Sequence, residues 1–385
     1  MIDPISSSTP SMPSSLFCAT TKVQDVLHEH ALCYWQDPIT VTSQEHSWSC
    51  RFSEKEALVP PKNLHAIIHA LHADDTKEFY AVMLSEHPHM LLIHKRGPQD
   101  LLIHKIQQQC FADGSCASVH TAGPQWVVRI PHGDTQQHLL AHKHLHKIHA
   151  KGLVPGVEEP PKLISLLDTE TSEVLDISFV TVSKRALHDA HTLLSHVQDK
   201  GRIAYQLTQG LKACVDANVG HLDIKEENIL LYGESTEQIT EARLCDFDDT
   251  LALDNFDTYQ QNQPRDMHTP QCVLATDMVA LWTYKNNPNT FAEFKALVNQ
   301  ISTFELGLVL YHLYTATRAP LQLDPSSHYI IGIDTEKIQQ TIDSLPLRPL
   351  QKKLLCAMLH TTPSRRPDIS VIARSFAIKE TPCSA

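Results

Sequence analysis

Asp223, Lys225, Asn228 and Asp246 lie in two short segments, His221-Leu222-Asp223-Ile224-Lys225-Glu226-Glu227-Asn228-Ile229-Leu230 and Leu244-Cys245-Asp246-Phe247-Asp248. An acid, a cation, an amide and a second acid at this spacing are the groups phosphoryl transfer needs, because that chemistry is mostly positioning and charge neutralisation. Asp223 can accept a hydroxyl proton, Lys225 can steady the moving phosphoryl group, and Asn228 and Asp246 can hold magnesium. The first segment runs into the apolar stretch Ile229-Leu230-Leu231, and the second reads as another strand carrying an acid.

The elements that position these residues must be cut from a chain of 385 residues, enough for two or three domain-sized units. Charged residues make up 20 % and hydrophobic residues 42 %, the balance of an ordinary globular protein. No apolar stretch approaches the roughly 20 residues of a membrane helix, and Met1-Ile2-Asp3-Pro4 opens no basic, then apolar, leader. The expectation is a protein with no membrane span, cytoplasmic or delivered into another cell's cytosol. The ten cysteines form no C-x-x-C pair, which argues against disulfides and a thiol-rich zinc site. A formal net charge of -12 argues against a nucleic-acid surface.

Histidine is the outlier, with 25 copies. His65, His69 and His72, then His142, His146 and His149, are spaced to share one helix face, where imidazoles could share a metal. No acid or cysteine joins them at a motif spacing, so both read as solvated faces. Their protonation near pH 6.5 would cancel much of the negative charge, making stability and mobility pH-dependent.

Residues 1–16 are rich in Ser and Pro and read as a disordered tail. In residues 17–98, an extension of unknown role, helices are expected around Val23–Leu32 and Asn63–His72, with strands at Ile39–Val41 and Phe79–Leu84. The identical runs Leu91–Lys95 and Leu101–Lys105 read as two strands and a turn. Further strands are expected at Trp126–Ile130, Lys162–Leu167 and Val174–Val182, with a helix over Thr135–His149. Ile203, Leu207, Leu211 and Val215 form the apolar stripe of a helix that delivers the chain into His221.

These motifs resemble the catalytic loop and magnesium segment of the eukaryotic-type Ser/Thr protein kinases, and the likeness extends over about Leu101–Ile378. It implies an α+β, bilobal kinase-like fold with a β-rich small lobe (99–183) and a mainly helical large lobe (184–378), preceded by the extension and followed by a tail at 379–385. By the resemblance, Asp223 and Lys225 are catalytic, Asn228 and Asp246 hold Mg2+ or Mn2+, and ATP is the cofactor. Phe111–Val119 takes the place of the glycine-rich loop, with Gly114 and Val119 against the nucleotide and Ala112 and Ala117 where glycines are usual. Arg129 stands where the family has its phosphate-binding lysine.

The helix Thr135–His149 carries no glutamate to pair with that cation. The resemblance also makes Asp249–Thr276 an activation segment with Thr250, Thr258, Tyr259 and Thr269 as candidate phosphorylation sites. Ser302 takes the place of an aspartate that braces the catalytic loop, and Arg366 is expected to pair with Asp277 in a partly buried, structural ion pair. Leu222 replaces the loop arginine, removing the cation that would read a phosphate on that segment. Asp248 replaces a glycine after Phe247. Lys225, two residues after the base, resembles the Ser/Thr rather than the tyrosine subgroup.

Three readings stand: an atypical Ser/Thr protein kinase, a pseudokinase scaffold binding nucleotide or a partner, and a kinase fold turned to adenylylation or small-molecule phosphorylation. The partners expected are a protein substrate and, for a kinase silent alone, an activating partner.

Overall fold

The computed structural model describes residues 39–44, 47–52, 55–57, 78–83, 90–97, 100–113, 117–132, 135–167, 174–261, 269–284 and 288–377. The expected tails, the helices at 23–32 and 63–72, the first histidine cluster and Gly114 lie outside them. The chain divides into two compact units, Met1–Leu139 with Pro161–Arg185, and Leu140–Pro160 with Ala186–Ala385.

The first unit is built on one sheet of β1 (Ile39–Gln44), β2 (Ser47–Phe52), β3 (Lys55–Ala57), β4 (Phe79–Met83), β5 (Met90–Gly97), β6 (Asp100–Asp113), β7 (Ala117–Ala122), β8 (Trp126–Pro131), β9 (Lys162–Leu167) and β10 (Val174–Lys184). Its order is β3-β2-β1-β6-β5-β4-β9-β10-β8-β7, and a further β6–β7 pairing closes seven of the strands into a ring from which β1 to β3 branch. The repeated Leu-Leu-Ile-His-Lys runs lie against each other as the expected hairpin, with Leu91 opposite Lys105 and Ile93 opposite Ile103. Leu92 and Ile93 are both buried, so both faces of β5 are covered there. Phe79, Leu92, Ile106, Val128, Ile164 and Val182 share one core.

The division between the units falls within α1 (Thr135–Ile148), whose Ala141, Leu145 and Ile148 pack in the core of the second unit. That unit continues through β11 (His188–Asp189), α2 (Ala190–Leu193), α3 (Lys200–Asp216), β12 (Val219–Gly220), β13 (Ile229–Gly233), β14 (Ile239–Leu244), β15 (Leu251–Ala252), α4 (Phe256–Gln261), α5 (Ala275–Tyr284), α6 (Phe291–Thr315), β16 (Leu321–Leu323), β17 (Ile330–Ile333), α7 (Thr335–Ser344), α8 (Pro349–Met358) and α9 (Ile369–Phe376).

In α3, Ile203, Leu207, Leu211 and Cys214 bury one stripe, and the Asp199 carboxylate caps the start by accepting from the Arg202 N–H at 2.9 Å. Asn218 then takes φ 54°, a left-handed turn that asparagine tolerates, and swings the chain into β12. The long helix α6 serves two cores: Phe294, Leu297, Val298 and Ile301 in one, Phe304, Leu306, Val309, Leu310 and Leu313 in the other. The loop after β12 rests on both, with Leu222 in the first core and Ile224 in the second. Fully burying a Leu or Phe side chain contributes roughly 1.5–3 kcal/mol.

Candidate active site

Residues 221–228 bridge β12 and β13, and each end of this loop is pinned. At the start, β12 pairs with β15 through Val219–Ala252 and Gly220–Leu251. At the end, the Asn228 carbonyl accepts from the Cys245 N–H at 3.0 Å, so the β13–β14 hairpin carries Asp246 up beside Asn228. Buried His221 ties the two segments together. Burial holds its imidazole below the ordinary pKa, hence neutral, and Nε2–H donates to the Cys245 carbonyl at 3.0 Å. Its ring meets Phe247 edge-on at 4.8 Å between centroids.

The loop's own groups converge on one carboxylate. Asp223 Oδ2 accepts from Lys225 Nζ at 2.8 Å and from Asn228 Nδ2 at 2.8 Å, while Oδ1 accepts from the Thr269 N–H at 3.1 Å. Lys225 Nζ also donates to Thr269 Oγ1 at 2.7 Å. Burial alone would raise the Asp223 pKa, but hydrogen bonds from Lys225 and Thr269 and the Lys225 charge outweigh it and hold the carboxyl below its ordinary value. For Lys225 burial pulls downward, and the bond and charge of Asp223 win and raise it. Asp223 and Lys225 are therefore an ionised pair. Asp246 sits at φ 62°, a left-handed conformation costing roughly 1–2 kcal/mol that aspartate adopts more readily than most residues.

Of the seven site residues expected from sequence, Asp223, Lys225 and Asn228 are bonded to one another, and Asp246 is held next to Asn228 in the same unit. In the first unit, Val119 on β7 lies directly opposite Arg129 on β8, and Arg129 faces Thr181 of β10 across its other edge. Gly114 is not described, but the flanks of its loop are: Asp113 pairs with Ser118, and Ala112 with Val119, as a β6–β7 hairpin.

Two expected phosphorylation sites need correction. Thr250 is 1 % exposed and Tyr259 is fully buried, because Tyr259 packs on Phe294 and Thr250 is locked in place. The Thr250 hydroxyl donates to the Phe247 carbonyl at 2.7 Å and meets His144 Nδ1 of α1 at 2.7 Å. Burial pushes the His144 pKa down to about 4, so its neutral ring donates Nδ1–H to the hydroxyl. Lys147, one turn on, pairs with Asp254 at 2.6 Å. Helix α1 is thus fastened to the segment after Phe247, and it carries no carboxylate.

Leu222 has a physical reason for replacing a cation: it is fully buried against Leu251, Leu253, Tyr259 and Val273, where a guanidinium would lose its solvent. The Arg366–Asp277 pair is present at 2.7 Å with both side chains wholly buried. Arg366 also donates to the carbonyls of His360 and Gln300 at 2.9 and 3.1 Å and covers the Phe304 ring at 4.8 Å.

Sequence reading missed Glu305 and the contacts of Thr269. Glu305 is fully buried on α6, and its Oε2 accepts from the Ile224 N–H at 3.3 Å. Burial first, and the Asp223 charge second, raise its carboxyl well above the ordinary range. Ser302, one turn earlier, is buried with its hydroxyl making no hydrogen bond. The second histidine cluster shares no metal geometry: His142 and His146 touch at 3.2 Å between Nε2 atoms, but His149 is committed to the Glu158 carbonyl and the Val154 N–H. Among the described residues no group of three or more His, Cys, Asp or Glu could hold a metal ion, and no helix is long and apolar enough to cross a membrane.

No curated protein matches the chain. A family model for the protein kinase domain does, over residues 161–376, from β9 to the end of α9. That stretch contains the whole Asp223 cluster, Asp246 and the Arg366–Asp277 pair, while Val119 and Arg129 precede it. A match over more than half of the 385 residues establishes the relationship, and the chain belongs to the protein kinase domain family.

Proposed function

We propose that the chain is an atypical Ser/Thr protein kinase that moves the γ-phosphoryl group of ATP to serine or threonine hydroxyls of a protein, with Mg2+ or Mn2+. The carrying observation is the ionised Asp223 carboxylate held by Lys225, Asn228 and Thr269. The oxygen donors fit the metal. Asn228 commits its NH2 group to the Asp223 carbonyl and carboxylate at 2.9 and 2.8 Å, which leaves its amide oxygen as a hard ligand, and Asp246 adds a carboxylate. ATP with its metal supplies the transferable group and neutralises charge on it.

The rest is the work of the chain's residues. Asp223 orients the acceptor hydroxyl and takes its proton; its low pKa suits a loose transition state in which the proton leaves late. Lys225 supplies positive charge at the transferred group and, standing two residues after the base, favours Ser/Thr acceptors. Gly114, Val119 and Arg129 are assigned to the nucleotide, with Arg129 a bidentate fork in place of a point-like ammonium. Residues 99–183 and 184–378 correspond to the two lobes, except that residues 140–160 belong to the second unit, and the described strands within residues 17–98 join the sheet of the first. A cytosol, the cell's own or another cell's, would supply the ATP this reading needs.

One observation favours a second reading, a nucleotide- or partner-binding scaffold: α1 offers no carboxylate to align Arg129. Both are tested by titrating a fluorescent ATP analogue with and without Mg2+, alongside transfer of labelled phosphate to dephosphorylated casein. The kinase reading expects Asp246→Asn to lose the metal-dependent part of binding and all transfer. Metal-dependent binding without transfer in the unaltered protein would favour the scaffold.

A further inference from the structure

We propose that Glu305 is the positioning residue of the catalytic loop, supplying from one turn further along α6 the acceptor that Ser302 does not. Asp223 and Lys225 flank Ile224, so the Ile224 peptide sets the direction of both. Its N–H points into the protein and is received by Glu305 Oε2 at 3.3 Å. The other oxygen, Oε1, has no hydrogen-bond partner, and the side chain is wholly out of water. An ionised carboxylate there would be costly to bury. The groups facing it are Asp223 and Lys225 of the loop, Arg366 of the connection between α8 and α9, and Cys272 of the segment before α5. The Asp223 charge acts most strongly among these and opposes ionisation. Glu305 therefore acts as a neutral acid whose carbonyl oxygen braces the loop, a role that glutamine can reproduce and alanine cannot.

The assignment deepens the kinase reading where turnover is measured, but the brace itself is testable without turnover. Amide hydrogen exchange at Ile224 is expected to stay slow in the wild type and in Glu305→Gln. In Glu305→Ala it should speed up by about tenfold or more, as a buried N–H loses its acceptor. Transfer to casein should follow the same order: kcat falls about tenfold or more in Glu305→Ala with KM for ATP held, while Glu305→Gln stays within about threefold.

Glu305→Gln carries a second signature if the alanine variant does not fold. Burial and the Asp223 charge put the folded carboxyl well above the unfolded value of about 4.5, so wild-type stability falls relative to the glutamine variant as pH rises from there towards the folded value. A stability difference flat across that range would overturn the assignment, as would unchanged Ile224 exchange in Glu305→Ala or equal damage from glutamine and alanine. Absent transfer in every protein, with exchange behaving as described, would count against the kinase reading alone.

Discussion

Replacing Arg366 with methionine should destabilise the second unit by an amount that grows with pH. The guanidinium is fully buried, lies 2.7 Å from Asp277, donates to the carbonyls of His360 and Gln300, and covers Phe304. Methionine keeps the stem and the ring contact and removes the charge. Removing one partner of a buried pair costs about 3–5 kcal/mol when the other stays ionised. Asp277, however, can escape by taking up a proton, and burial already raises its pKa with Arg366 present. Without Arg366 that pKa rises further. A carboxyl whose folded pKa exceeds its unfolded one contributes most at low pH and loses that contribution as pH climbs towards the folded value.

The loss in Arg366→Met is therefore expected to shrink by up to about 1.4 kcal/mol for each pH unit below neutral. Urea unfolding at pH 5.5 and pH 8 measures it, and Arg366→Met with Asp277→Asn should recover much of the loss at pH 8 because no charge is left buried. Equal losses at the two pH values, or a double variant no better than the single one, would refute the reasoning.

Acid should weaken the first unit through His104, which is 2 % exposed with neither ring nitrogen hydrogen-bonded and whose pKa burial pushes down to about 4. A histidine with a lowered folded pKa stabilises above its unfolded value and loses that stability as pH falls from about 6.5 to 4, here about 3 kcal/mol. His104→Leu is expected to flatten that part of the acid-unfolding curve, and an unchanged curve contradicts the assignment. Leu222→Arg, which restores the family's cation, should unfold rather than regulate: thermal denaturation is expected to show a loss above about 3 kcal/mol, because the guanidinium enters an apolar core with no partner.

The cluster was legible in sequence because it sits in short segments: the spacing that joins Asp223, Lys225 and Asn228, with Asp246 beside them, is visible without any knowledge of tertiary structure. Local periodicity likewise served for α3 and for the β5–β6 hairpin, whose repeated runs pair in the expected sense. Arg366 and Asp277 were matched by resemblance across 89 residues, and no pattern within either segment would have joined them. What stayed hidden depends on packing. Glu305 lies one turn past the position inspected, and only the face of α6 towards the loop reveals it. Thr269 reaches Asp223 from 46 residues away. Thr250 and Tyr259 look like exposed hydroxyls in a polar segment, yet His144 and Phe294 cover them. The ring closure by β6 and β7 escaped because β6 changes partners along its length, pairing with β5 and β1 in one half and β7 in the other.

Whether Asp223 directs group transfer is read most directly from intact mass. Wild-type protein and Asp223→Asn would be incubated with ATP and Mg2+ or Mn2+ and weighed. The account predicts added phosphoryl groups on the wild type alone, with both proteins equally folded. Phosphoryl addition to both would contradict the role of Asp223, an adenylyl group would show that ATP reacts at its α-phosphate, and no addition to either, with casein also unmodified, would contradict the kinase reading.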